Sequence, residues 1–305
     1  MPNIWTHMLF SEEIVDAVID NPYSLSKFEP YMKLGSQGPD PFFYYNFWPW
    51  IKDEPVHDIG MALHTKHCGA FLIDLIEKAR NHEKEVQAYV FGFVTHHILD
   101  RNAHPYIHYR AGYESGDHQK LEVLIDTLMM QKCCNLKTWK VPVYKEIDVG
   151  SSLNKEIAEL LNESIQKYYP DITPVKQAYI QKAYKDMKRA LKILADPYGW
   201  KNKIMKSLIN SYSHQPVTKD VDYLNLNHQT WYHPATKVPS TKSFIDLYNE
   251  ARTEGIEIMT EVLTYWQKPD ENTKNNLTAL IGNISYDTGK PLEFNLENRY
   301  SDPII

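Results

Sequence analysis

Along most of this chain, apolar residues recur at helical spacing. Ser11 followed by Glu12 and Glu13 has the form of a helix start, and Ile14, Val15, Val18 and Ile19 supply a stripe that Asn21-Pro22 would end. The stretch LGSQGPDPFFYYNFWPW at 34–50 holds two glycines and three prolines, which predicts a loop. Helical patterns follow at 57–81 and 84–104, the second closed by Pro105. Tyr109 to Gly116 reads as a connector. Ser115 or Asp117 then caps a helix to about Cys134, with Leu121, Leu124, Ile125 and Leu128 facing inward. Further helices are predicted at 152–168, 173–195, 198–212, 241–267 and 270–283, around a polar, aromatic loop at 218–241. No segment shows sustained alternation with the period of two of a strand, and no Asn-Gly turn joins two apolar runs. The expectation is an all-α, multi-helix fold. Residues 1–305 read as a single domain, with the polar chemistry in 1–135 and a helical C-terminal part at 150–305.

One helix interrupts its own apolar pattern. The stretch THHILDRNAHPYIH, residues 95–108, packs four histidines and Asp100 into an otherwise apolar segment. His96, Asp100 and His104 are spaced four apart, so each step turns only ~40° and all three project from one side. On the next helix His118 and Glu122 form a second such pair. A single histidine or aspartate on a helix is usually solvated or bonded to backbone. Two pairs on successive helices are harder to explain that way. Three imidazoles and two carboxylates make a donor set suited to zinc or a similar cation, and a carboxylate between two histidines can bridge two ions.

Composition narrows the picture further. Thirteen histidines are present, and nine of them lie between positions 57 and 118. The net charge of −6 and the absence of a Lys/Arg run give no nucleic-acid footprint. Cys68, Cys133 and Cys134 include an adjacent pair that rarely bridges to itself, which points to a reducing, cytoplasmic setting. The start MPNIWTHMLFSEE lacks the basic region of a signal peptide, and nothing approaches a transmembrane span.

The motif HxxxDxxxHP, then HxxxE, preceded by GSQGPDPFFY, resembles the zinc-dependent phospholipase C family, whose fold is shared with the P1-type single-strand nucleases. The resemblance covers roughly residues 1–130. It implies a phospholipase C/P1 nuclease-like bundle and a zinc-dependent phosphoester hydrolase. By this resemblance Asp40, in the Gly38-Pro39-Asp40-Pro41 turn, is a zinc ligand and the base. His64 is the next ligand, with His67 and His57 as neighbouring alternatives. His96 and Asp100 match the HxxxD pair, with Asp100 bridging. His104 follows, with His108 as its rival, and His118 and Glu122 match the HxxxE pair. His7 resembles the N-terminal histidine of a third metal site. It stands closer to the chain start than in secreted members, where a free terminal amine also binds that ion. The expected cofactor is therefore a di-zinc cluster, tri-zinc if His7 takes part. The expected partner is a lipid or small-molecule phosphoester. Rival readings are a nuclease or nucleotidase on the same site, and a non-catalytic metal-binding protein on this scaffold.

Other features have two readings each. The aromatic run at 42–50 would wall a substrate or pack the core. His97 would orient a carboxylate or be a buried donor. Arg101, Arg110 and Lys66 would bind phosphate or serve the helix surface. Asn227, His228, Trp231 and His233 would cover the site or only order their loop.

Overall fold

The computed structural model describes residues 4–19, 27–48, 51, 56–172, 176–204 and 211–305. Among these residues there are eleven α-helices, α1 (Ile4–Val18), α2 (Glu29–Gly35), α3 (Val56–Thr65), α4 (Cys68–Ala79), α5 (Lys84–Ala111), α6 (Asp117–Cys134), α7 (Lys155–Tyr168), α8 (Gln177–Leu194), α9 (Trp200–Ile204), α10 (Phe244–Gln267) and α11 (Glu271–Ile281). Short 3-10 turns stand at Asp40–Tyr44, Thr138–Lys140, Val143–Lys145 and Leu292–Phe294. The all-α expectation holds, with one small exception. Trp231–Tyr232 pairs antiparallel with Pro239–Ser240 in a minimal hairpin inside the expected loop.

Helix α5 is the axis of the molecule. Its residues from Val86 to Ala111 are almost all buried, and α1, α2, α6 and α10 pack around it. A hydrophobic core running from Ile4 to Ile281 joins the two halves of the chain.

Several boundaries differ from the sequence reading, each for a local reason. Helix α1 begins seven residues before Ser11, which is wholly buried within it rather than capping it. The cap comes from another helix, through Asp126 of α6. Its carboxylate accepts the backbone N–H of Trp5 at 3.2 Å and of Thr6 at 2.6 Å. The expected loop at 34–50 contains the end of α2 and the Asp40–Tyr44 turn. The expected helix at 57–81 is two, because His67 takes a left-handed conformation between α3 and α4. Gly69 at the new start donates its N–H to Asn283 at 3.2 Å.

Helix α5 does not stop at Pro105 but runs on to Ala111, so the expected connector begins only at Gly112. Proline has no N–H for the Arg101 carbonyl four residues back. Gly289 lies against that carbonyl, where a Cβ would come within 2.1 Å of it, and its φ of +59° favours glycine. Asn154, Ser243 and Asp270 each accept a backbone N–H at the start of α7, α10 and α11, fixing those ends a few residues inside the expected spans. The end expected at Asn21-Pro22 and most of the helix expected beyond Ile204 lie outside the described residues.

Candidate metal centre

Four segments converge on the middle of α5. That helix presents His96, Asp100 and His104 one above the next, all buried. Helix α1 lays His7 against them, its rings 4.2 Å from His96 and nearly parallel. The 3-10 turn brings Asp40 and the end of α3 brings His64. Close approach is possible because residue 38 is glycine: a Cβ there would stand 2.3 Å from the His96 ring, and its φ is +50°.

Asp100 is the hub. Its Oδ2 lies 3.0 Å from His96 Nε2 and 3.9 Å from His64 Nε2. Its Oδ1 lies 3.2 Å from His7 Nε2 and 3.5 Å from His104 Nε2. Asp40 Oδ1 stands 3.6 Å from His64 Nε2 and 3.8 Å from His96 Nε2. On α6, His118 Nε2 is 2.6 Å from Glu122 Oε1. Donor atoms lie within 4.8 Å of one another in four groups: His7, His96 and Asp100; Asp40, His64 and His96; His104, His118 and Glu122; and His104, His108 and Asp287.

The tautomers suit metal binding. His96 Nδ1 donates to the Ser36 carbonyl at 2.9 Å, and His64 Nδ1 to the Gly60 carbonyl at 2.7 Å. Each Nε2 lone pair is thereby aimed into the cluster. Yet Nε2 of His7, His96 and His104, Oδ1 of Asp40 and both oxygens of Asp100 are buried with no hydrogen-bond partner. Each such orphan costs roughly 1–3 kcal/mol. Six of them face one another, a mixed nitrogen and carboxylate set that fits a bound zinc.

The electrostatics agree. Burial pushes His7 below its usual range, His104 to about 4 and His118 well down, which keeps these rings neutral. Burial would raise Asp100, but His104 and His96 beside it hold it well below the usual carboxylate range. His64 goes the other way: burial disfavours its charge, but Asp40 outweighs that and raises it.

All eight residues named from the sequence, His7, Asp40, His64, His96, Asp100, His104, His118 and Glu122, are thus brought together. Among the alternatives, His57 bonds the Tyr45 carbonyl at 3.0 Å, and His67 packs against Tyr168 and Tyr169. His108 lies near the cluster but faces Asp287 at 3.8 Å.

The sequence reading missed Asp287, which stands 3.4 Å from Nδ1 of His104, on the far side of that ring from Asp100. It also missed Tyr286, whose ring contacts His64, His96 and His97 and whose N–H donates to the His64 carbonyl at 3.1 Å. Neither has a helical spacing that would mark it; the only local sign is the turn-forming Gly289. Solvent reaches the cluster from this end. His108, His118 and Asp287 have side chains 17%, 22% and 24% exposed, whereas those of His7, His96 and Asp100 are 1% or less.

Other candidates serve the frame. His97 Nε2 donates to the Ile284 carbonyl at 3.0 Å. Arg101 binds Glu254 and the Ile281 carbonyl, and Arg110 pairs with Asp302 at 2.9 Å, so neither is a phosphate ligand here. Lys66 is exposed beyond the end of α3. Phe42 and Tyr45 are core residues, while Phe43 stacks on His64 with centroids 5.5 Å apart. The late loop is ordered by its own bonds. Trp231 Nε1 donates to the Lys242 carbonyl, and His228 Nδ1 lies 3.0 Å from the Thr241 carbonyl. Asn227 donates its backbone N–H to Asp222, and His233 Nε2 lies 3.0 Å from the carbonyl of Thr288, next to Asp287.

No match was found among the curated proteins or among the solved structures. A family model described as zinc dependent phospholipase C does match, over residues 6–197. That span is more than half of the 305 residues and contains all eight converging groups, but stops short of Asp287. The chain belongs to the zinc dependent phospholipase C family.

Proposed function

We propose that this protein is a zinc-dependent phosphoric ester hydrolase of the phospholipase C type, acting on a glycerophospholipid or another phosphodiester. The observation that carries the reading is the set of buried, unpartnered nitrogen and oxygen atoms gathered around Asp100. We assign one ion to Asp40, His64, His96 and Asp100, and a second to His104, His118 and Glu122. His7 with Asp100 offers a third place. Bound zinc would supply the positive charge that makes a water nucleophilic near neutral pH and neutralises the phosphoryl oxygens.

The protein's own groups do the rest. Asp40 sits at the edge of the cluster, where its carboxylate can orient a water and accept its proton. Asp100 fixes the spacing of the groups on its two sides, and the carbonyls of Ser36 and Gly60 hold His96 and His64 in register. The partly exposed end at His108, His118 and Asp287 is the natural entrance for a phosphoryl group. That opening favours catalysis over a closed structural site, whose ligands leave no free approach. Among the described residues no helix is long and apolar enough to cross a membrane. We propose the cytoplasm as the compartment, on the strength of three unpaired cysteines, two of them exposed.

Elemental analysis of the purified, tag-free protein beside an Asp100→Asn variant tests the centre. About two to three zinc ions per chain are expected, largely lost in the variant. Phosphatidylcholine hydrolysis should then require zinc and fall by at least about a hundredfold in Asp40→Asn. A chain that holds no zinc and takes none up would refute the assignment.

A further inference from the structure

Beside the entrance to the cluster lies a surface opposite in character to the rest of this acidic chain. The run 187–204 carries Lys188, Arg189, Lys192, Lys201 and Lys203 against one acid, Asp196, with Lys188 paired to Asp148 and Arg189 to Asp186 at its edge. Asp196 is buried and accepts the Asn202 N–H at 2.9 Å, so it is not displayed. The same run exposes Tyr198 at 83%, Ile204 at 75% and Trp200 at 53%, with Ile193 beside them at 39%. Tyr198 and Ile204 are the two most exposed large apolar side chains among the described residues. Trp200 and Ile204, four apart on α9, share a face. Lys140 from a neighbouring turn lies over the Tyr198 ring, 5.4 Å from its centroid.

The surface is anchored next to the entrance. Ser213 Oγ donates to the Leu194 carbonyl at 2.9 Å and accepts from Asn202 at 3.1 Å. The segment that holds Ser213 also meets the start of α6. Ser211 packs on Gly116, two residues before His118, and His214 lies 2.8 Å from the Asp126 carboxylate that caps α1.

Protruding tryptophan, tyrosine and isoleucine tips ringed by lysines lose less by entering a lipid interface than by standing in water. The rings sit at headgroup depth, and the lysine stems reach out to phosphates. The charge complementarity selects an anionic surface, because the remainder of the −6 chain would be repelled by one. We propose that Tyr198, Trp200 and Ile204, with Lys140, Lys192 and Lys203, form the surface by which this protein docks on an anionic phospholipid bilayer, presenting the lipid headgroups to the entrance at His118. This rests on the phospholipase reading for its purpose, but not for its test.

Sedimentation with vesicles reads docking without turnover. Asp40→Asn protein, unable to consume the lipid, should sediment with phosphatidylserine-containing vesicles and only weakly with phosphatidylcholine alone. Trp200→Ala with Ile204→Ala should abolish sedimentation. Each of Lys192→Glu and Lys203→Glu should weaken it by roughly fivefold or more, with the difference vanishing in high salt. In the otherwise unmodified enzyme the same variants should lower hydrolysis of vesicles and leave hydrolysis of a monomeric short-chain phospholipid unchanged. Failure to bind anionic vesicles overturns the proposal. So does equal loss on monomeric and vesicular substrate, or a dimer that Trp200→Ala dissociates, which would make the patch an interface between copies. If the protein neither holds zinc nor hydrolyses phosphoesters, sedimentation still decides this point separately.

Discussion

Asp287 touches the cluster from outside the span matched by the family. Its carboxylate is 3.4 Å from Nδ1 of His104, whose Nε2 faces Asp100 on the opposite side. A carboxylate in that position fixes which nitrogen carries the proton and makes the other a better donor to a metal. His104 and His108 beside it hold Asp287 well below the usual carboxylate range, although burial alone would raise it. Asp287→Ala should therefore weaken zinc binding at the site proposed for His104, His118 and Glu122 by roughly 10–100-fold. Asp287→Asn keeps an acceptor oxygen and should recover much of that loss. Competition with a chromophoric chelator measures both. An alanine variant with unaltered zinc affinity would reduce Asp287 to a structural role.

Among whole elements, the site depends on helices that other helices hold in place. Helix α4 is fastened to α7 by Asp74, which accepts from Ser164 Oγ at 2.6 Å and Lys167 Nζ at 2.6 Å and pairs with Lys78 at 3.0 Å. Burial would raise this carboxyl, but Lys167 and Ser164 outweigh it and its pKa is lowered from the ordinary 3.8. The unfolded chain thus binds the proton more readily. The stabilisation is present in full above about pH 4 and is lost as pH falls through the lowered folded-state value. Asp74→Asn should destabilise by about 1–3 kcal/mol near neutrality, and the gap should narrow as the pH falls through the lowered folded-state value. Urea unfolding in the presence of a chelator, so that zinc loss does not contribute, checks this. A gap independent of pH would show that packing rather than charge joins these helices.

For the whole molecule, the ions proposed above would tie together α1, α3, α5, α6 and the Asp40 turn, whose donors are spread over more than a hundred residues, from His7 to Glu122. An ion bound only by the folded state stabilises it by about 2.7 kcal/mol once free ligand exceeds its Kd a hundredfold. Chelation should accordingly lower Tm by on the order of 5 °C. Added zinc should restore it and added magnesium should not, because histidine-rich donors favour the softer ion. Differential scanning fluorimetry measures both arms. An unchanged Tm after complete zinc removal would mean that the fold carries its cluster without need of the ion.

The helical fold and five of the eight converging groups were legible in local spacing, whereas Asp40, His64 and His7 were legible only through the family resemblance. A step of four keeps His96, Asp100 and His104 on one face of α5 wherever that helix goes, and the same holds for His118 and Glu122. What local spacing does not encode is the partner across space. The cap on α1 comes from Asp126, Gly289 lies against the Arg101 carbonyl that Pro105 leaves without its helical donor, and the far side of His104 is met by Asp287. Those contacts join residues remote in the chain, and no period along it predicts them. Helical spacing marked the ligand faces of α5 and α6 but left Asp287 unmarked. It took packing between remote segments to turn His64, and neither His57 nor His67, towards Asp100, to set His108 against Asp287, and to bring Tyr286 of the C-terminal half against the site. The physical reason is burial: among several histidines of equal chemistry, packing selects which lone pair is left facing the cluster.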